Sequence, residues 1–242
     1  MHPLVSVIIP FYNCLYVHQA IQSVLQQTYP NVEIIVVDDG STQYVDLILP
    51  FKNKIHYLGK KNGGTASAIN HGISMASGAY IAWLSSDDMF YPQKIQKQVS
   101  FMLHNHSLAS YTPYDAMDAN SHVYQRHIGH VLPGEIALCQ GFIKGLNPIN
   151  GCTIMVQRSV FDIVGYFNEQ LRFTQDYDMW VRLMLHGVKF DYLPEPLTMY
   201  RFHERMGTVR HQSEMFPEYE AVQRQYTQPL NYRIRQLEEI SF

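Results

Sequence analysis

The strongest constraint on how this chain folds is the alternation of two hydrophobic periods across residues 4–88. Residues 4–10 are β-branched and almost continuously apolar, the pattern of a strand covered on both faces, and Pro10 ends the run. Over residues 15–27 the apolar positions Val17, Ala20, Ile21, Val24 and Leu25 return at helical spacing, and Pro30-Asn31 closes the unit. Residues 32–37 and 54–58 are further strand-like runs, with a short helix predicted over 45–49 before Pro50. Residues 65–76 place Ala66, Ile69, Ile73 and Ala76 on one helical face behind Gly63-Gly64, and 79–84 form a fourth strand. Strands alternating with helices imply a parallel sheet with right-handed crossovers. In such sheets ligands bind at the carboxyl ends of the strands, where the strand order reverses. Tyr12-Asn13, Asp38-Asp39 and Asp87-Asp88 stand at three of those ends and are expected to meet in one crevice.

The second half is less regular. A helix is predicted over 93–103, a strand over 108–111, and a loop-rich section to about residue 150, punctuated by Gly134, Gly141, Gly145 and Pro148 with a helix over 136–143. A strand over 152–156, a short helix over 159–164, a helix from near Asp176 to 185, and strands over 188–192 and 197–202 follow. From Glu214 onward Tyr219, Val222, Tyr226, Leu230, Ile234 and Leu237 are spaced for a helix, or for two broken at Pro229. The expectation is an α/β chain with a mixed, mainly parallel sheet flanked by helices: one domain over 1–208, with halves at about 1–110 and 111–208, and a helical C-terminal tail over 209–242.

A charged share of 16% and a net charge of −3 give no basis for gripping a nucleic-acid backbone. Cys14, Cys139 and Cys152 lack the spacing of a zinc site or a disulfide framework, which suits a reducing compartment. The start of the chain lacks the features of a signal peptide, and no run approaches the ~18 apolar residues needed to cross a bilayer. A cytoplasmic location, at most at the inner face of the membrane, is expected. The mixed charges of the tail leave a peripheral membrane contact or a homo-oligomer through it open.

Six separate motifs then occur in order. They are Val5-Ser6-Val7-Ile8-Ile9-Pro10-Phe11-Tyr12-Asn13, Glu33-Ile34-Ile35-Val36-Val37-Asp38-Asp39-Gly40-Ser41, Asn62-Gly63-Gly64 with Ala68-Ile69-Asn70, Ser86-Asp87-Asp88, Gln175-Asp176-Tyr177-Asp178-Met179-Trp180-Val181-Arg182 and Tyr200-Arg201-Phe202-His203. Together they resemble the signature of family 2 glycosyltransferases with the GT-A, Rossmann-like fold, over roughly residues 4–208.

The resemblance implies an inverting transferase that moves a sugar from a nucleotide-sugar, a UDP-sugar first and a dTDP-sugar second, to a hydroxyl of a carbohydrate or lipid-linked acceptor. It assigns the nucleotide pocket to Pro10, Phe11, Tyr12, Asn13 and Asp39, with Asn62, Gly64 and Ser67 as weaker candidates and Asp87 toward the ribose. Asp88, Asp87 and His203 are the candidates for a divalent cation, Mn2+ or Mg2+, whose oxygen ligands suit such hard metals. Asp176 matches the general base. Arg201, Arg205, Asn150, Gly151 and Cys152 are implied near the diphosphate or acceptor.

Each residue also has a plainer role open to it. Asp39 and Asn13 are good helix caps, Asp176 and Asp178 suit a helix amino terminus, and an Asp-Asp pair is often a solvated turn. Two departures stand out: Ser85 replaces an acid common two positions before Asp87, and Gln175 replaces the usual Glu before the base. They motivate a second reading, a non-catalytic nucleotide-sugar-binding protein of the same fold.

Overall fold

The computed structural model describes residues 2–129, 131–132 and 134–240. Its first half follows the alternation closely. Strand β1 (Val5–Phe11) leads through helix α1 (Val17–Leu25) to β2 (Val32–Asp38), and a 3-10 helix (Val45–Lys54) leads to β3 (His56–Gly59). Helix α2 (Gly64–Met75) then crosses to β4 (Tyr80–Trp83). The helix predicted over 45–49 is this longer 3-10 segment, which runs through Pro50.

Beyond β4 come β5 (Met89–Phe90), α3 (Lys94–Asn105), β6 (Ala109–Tyr111), β7 (Tyr114–Met117), β8 (Val123–Ile128), α4 (Gly134–Ile143) and β9 (Met155–Gln157). The chain continues through α5 (Val160–Val164), α6 (Gln175–Leu185), β10 (Phe190–Tyr192), β11 (Thr198–Arg201), α7 (Gly207–Arg210) and α8 (Gln212–Ile240).

The main sheet has the order β10-β6-β9-β4-β1-β2-β3, and β9 alone runs antiparallel to its neighbours. Strand β1 pairs in parallel with both β2 and β4, so the chain reverses its direction of travel across the sheet beside β1. Successive residues of β1 serve opposite faces, as the pleat requires. Ile8 packs with the apolar face that includes α2, α6 and α8, and Val7 and Ile9 pack with the face that includes α1 and α3.

A second sheet, β5-β11-β7-β8, is absent from the sequence reading as a unit. Its hairpin β7–β8 falls inside the section expected to be loop-rich. Strand β8 is mostly exposed and reads Val-Tyr-Gln-Arg-His-Ile, so it carries no apolar face by which to recognise it. The strand predicted over 152–156 is shorter: Asn150 accepts the Cys152 N–H at 2.9 Å and makes a 3-10 turn of Gly151–Thr153 before β9 begins.

Of the two readings of the tail, one helix or two broken at Pro229, the single helix holds. Helix α8 runs unbroken past Pro217 and Pro229, because Val222, Tyr226 and Leu230 stay buried across the site of the missing N–H. It lies against α4 and α6. Arg233 Nε donates to Glu135 Oε1 of α4 at 2.7 Å. Among the described residues no helix is long and apolar enough to cross a membrane.

Candidate active site

The carboxyl ends of β1, β2 and β4 open into a cleft of about 1360 Å3 whose far wall is built by residues 147–152, the start of α6 and the segment after β11. Of the residues singled out in the sequence, Pro10, Phe11, Tyr12, Asn13, Asp39, Asn62, Gly64, Asp87, Asn150, Gly151, Cys152, Asp176, His203 and Arg205 line it. Ser67, Asp88 and Arg201 do not.

At the β2 end, Asp39 is 3% exposed and its carboxylate is fully engaged. It accepts Lys60 Nζ at 2.6 Å, the Gly63 N–H at 2.9 Å and the Gly64 N–H at 2.8 Å. It therefore caps the amino terminus of α2 from across the crevice, where a negative charge is favoured. Asn13, held at φ 47, accepts the N–H groups of Thr42 and Gln43, both at 2.8 Å, and so ties the β1 loop to the β2 loop. Gly40 must be glycine: at φ +78, a Cβ would lie 2.9 Å from the Asn62 nitrogen.

Asp87 and Asp88 face opposite ways. The Asp87 Oδ2 lies 3.0 Å from His203 Nε2 at the cleft wall. Asp88 is 1% exposed; its Oδ1 accepts the Arg201 N–H at 2.8 Å, and its Oδ2 is buried with no hydrogen-bond partner among the described residues. Burial first, and the neighbouring Asp87 charge second, push Asp88 well above the usual carboxylate range. The second sheet produces this arrangement, since β5 starts directly after Asp88 and pairs with β11, which ends at Arg201.

Arg201 is 0% exposed and its guanidinium works inward. It donates to the Asp87 carbonyl at 2.7 Å, to the Asp118 carbonyl at 3.1 Å, to Ser121 Oγ at 2.9 Å and to Gln19 Oε1 at 2.7 Å, and it stacks 4.1 Å over the Tyr16 ring. Ser67 sits one turn into α2, with its Oγ where a Cβ on Gly63 would come within 2.8 Å.

On the far wall, Asp176 occupies the first turn of α6. Its Oδ1 accepts the Tyr177 N–H at 2.8 Å and its Oδ2 accepts Asn147 Nδ2 at 3.0 Å. Loss of solvation outweighs these bonds and raises the carboxyl from 3.8 to about 6, in the range where an acid can act as a base at neutral pH. Cys152 is a buried part of this wall, with its thiol against Ser85 Oγ at 3.0 Å; burial and then the Asp88 charge push the thiol well up, which keeps it neutral.

The sequence reading missed Trp83 and Asn147. Both line the cleft, where Trp83 Nε1, Asn147 Oδ1 and Gln175 Oε1 are buried without a hydrogen-bond partner among the described residues. The Trp83 ring lies so close to residue 151 that a Cβ on Gly151 would fall 2.2 Å from it. Among the described residues no group of three or more His, Cys, Asp and Glu side chains is placed to hold a metal ion; Asp87 with His203 supplies two donors.

The profile of Glycosyl transferase family 2 matches residues 6–164, about two thirds of the chain. The chain belongs to this family. An uncharacterized glycosyltransferase of Rickettsia typhi is 39% identical over 230 residues, covering 91% of this chain and 70% of its own. One from Rickettsia bellii is 37% identical over 86% of this chain but only 31% of its own, so this chain spans less than a third of that relative. TuaG of Bacillus subtilis, a glycosyltransferase named for teichuronic acid biosynthesis, is 34% identical over 82% of this chain and 79% of its own. Among solved structures, S. aureus TarS 1–349 in complex with UDP-GlcNAc superimposes with a TM-score of 0.69 at 19% identity, over 90% of this chain and 65% of that one. That likeness establishes the GT-A architecture of this family 2 member: a mainly parallel sheet flanked by helices.

Proposed function

We propose that this chain transfers a sugar from a UDP-sugar to a hydroxyl of a carbohydrate or lipid-linked acceptor, with inversion at the anomeric carbon. One observation carries the reading: the raised carboxyl of Asp176 and the Asp87–His203 pair line the same cleft. The UDP-GlcNAc complex of TarS and the teichuronic acid biosynthesis in the name of TuaG support this choice of donor and acceptor class.

In this reading residues 1–110 form the donor half, with Phe11, Tyr12 and Asn13 along the base and with Asp39 holding the pocket floor through Lys60, Gly63 and Gly64. Residues 111–208 form the acceptor half. Asp176 takes the proton of the acceptor hydroxyl as its oxygen bonds to the anomeric carbon, and the bond from that carbon to the diphosphate breaks with its electron pair leaving on UDP. Asn147 Nδ2 orients the carboxylate oxygen that receives the proton. Arg205 lines the cleft beside His203 and is suited to phosphate oxygens.

Asp87 and His203 offer one oxygen and one nitrogen, which fits Mn2+ or Mg2+ held by few side chains and completed by substrate phosphates. Such an ion would offset charge on the departing diphosphate. Arg201 serves from beneath, through the Asp87 carbonyl.

A thermal-shift series with nucleoside diphosphates, with and without Mn2+, tests the reading. UDP with Mn2+ at about 100 times its Kd should stabilise the fold by about 2.7 kcal/mol. Equal shifts from all nucleotides would overturn the donor assignment. The non-catalytic alternative rests on Ser85, whose Oγ is spent on Cys152, and on Gln175 in place of an acid. Release of UDP from UDP-sugars in the presence of Mn2+ separates the two, since a pure binder releases none.

A further inference from the structure

The matched family profile ends at residue 164, before the helix that carries Asp176, and the C-terminal helix α8 lies further on still. Yet α8 holds the surroundings of Asp176 from two sides.

The first is the entry to α6. The side chain of its cap residue Thr174 accepts none of the N–H groups of the first turn. Glu218 of α8 instead holds the backbone that leads into the helix. Its Oε1 accepts the N–H groups of Phe173 and Thr174, both at 2.8 Å, and Thr174 Oγ1 at 2.7 Å, while Oε2 accepts the Arg172 N–H at 3.0 Å. One carboxylate thus fixes three consecutive backbone units that end two residues before Asp176. Burial works to raise the Glu218 carboxyl, and these hydrogen bonds overcome it and hold the group below its usual range, so it remains an acceptor.

The second is the facing loop. Tyr219 OH donates to the Gly145 carbonyl and Gln223 Nε2 to the Ile143 carbonyl, both at 2.7 Å. These bonds set the start of the segment that carries Asn147, whose amide donates to Asp176. The Tyr219 ring also meets the Tyr177 ring edge-on at 5.0 Å, and at the next residue of α6 Tyr226 OH donates to Asp178 Oδ1 at 2.6 Å. Positions 219, 222, 223 and 226 share one helical face with Leu230, so the burial that docks α8 also aims these polar groups.

We infer that Glu218 is a positioning residue for Asp176, and that α8 is a working part of the active site because it sets both the entry of α6 and the loop that presents Asn147. This rests on the reading of Asp176 as the base.

The test measures UDP release with Mn2+ from whichever UDP-hexose or UDP-N-acetylhexosamine the wild-type full chain hydrolyses fastest, for Glu218→Ala, Glu218→Gln, Tyr219→Phe and Asp176→Asn. Glu218→Ala should lower kcat per folded molecule by about 10- to 100-fold, the scale of a small misplacement of a reacting group, and leave the donor KM within about twofold. Glu218→Gln keeps a carbonyl oxygen for the Phe173 and Thr174 amides and should recover most of the loss. A helix that merely stabilises the fold would change the folded fraction, not kcat at constant KM with rescue by Gln. Unchanged kcat in folded Glu218→Ala, a donor KM that rises as far as kcat falls, or a Gln variant no better than Ala would overturn the inference. If Glu218→Ala does not fold, Tyr219→Phe decides: a several-fold loss of kcat at constant KM supports it and wild-type kinetics refute it. Full activity in Asp176→Asn, or a wild type that hydrolyses no UDP-sugar, overturns the base or donor reading itself. Inactive Asp176→Asn beside unaltered Glu218 and Tyr219 variants sinks the positioning role alone.

Discussion

Asp176→Asn should cost activity and add stability, and the two effects share one cause. The folded protein raises this carboxyl from 3.8 to about 6. By linkage, an acid whose folded pKa is raised favours the native state fully below its unfolded pKa, and that advantage is lost as pH climbs through the folded value. Relative to a neutral side chain, the ionised group therefore penalises the native state by about 1.6 kcal/mol at pH 5 and about 3 kcal/mol at pH 8.

The asparagine has no charge to bury, but it has one acceptor where the carboxylate uses two, for Tyr177 N–H and Asn147 Nδ2. Asn147 can compensate by turning its amide, since its own Oδ1 has no partner among the described residues and would accept the new amide N–H. With about 1 kcal/mol allowed for imperfect geometry, the variant should gain about 1–2 kcal/mol at pH 8 and little at pH 5. Urea unfolding at the two pH values measures this directly. Sugar transfer or donor hydrolysis should fall by about 10^2- to 10^4-fold, with UDP binding retained. A variant less stable than wild type at pH 8, or a stability difference that does not grow between pH 5 and pH 8, would refute the argument that burial holds this carboxyl poised.

Two further changes probe the frame. Arg201→Lys keeps a charge but cannot reach the Asp87 and Asp118 carbonyls, Ser121 and Gln19 at once, and should destabilise the fold by about 3–5 kcal/mol in urea titration. Gly151→Ala drives a methyl into the Trp83 ring and should cost about 1–3 kcal/mol, with a loss of activity larger than that of nucleotide binding, because the ring and residue 151 both form the cleft wall.

Much of the first half was legible because its signals are short-range. Residues 5–11, 32–38 and 80–83 declare buried strands by their apolar runs, and the polar sets at their ends must lie on one edge once the strands are parallel. The facing half was less legible. Strand β8 has no apolar face, and the hairpin it forms is stabilised by pairing with β7 and by Arg126 on Asp115 at 3.1 Å. Trp83 and Asn147 gave no sign of a role, since one ends an ordinary apolar run and the other sits in an unremarkable loop.

The sequence by itself determined the α/β order of elements, the strand ends that carry the acids, and the order of motifs that marks the family. Only tertiary structure decided how neighbouring acids divide their roles. Asp87 faces the cleft and Asp88 the interior because the pairing of β5 with β11 brings the Arg201 N–H onto Asp88 and His203 onto Asp87. Arg201 turns inward for the same reason, as six residues from distant segments converge on its guanidinium and stacking face. Glu218 acquires its hold on the entry to α6 across 44 positions of chain at Thr174. Local propensity acts over a few residues, whereas a side chain's direction and a carboxyl's pKa are set by whatever the fold packs against them.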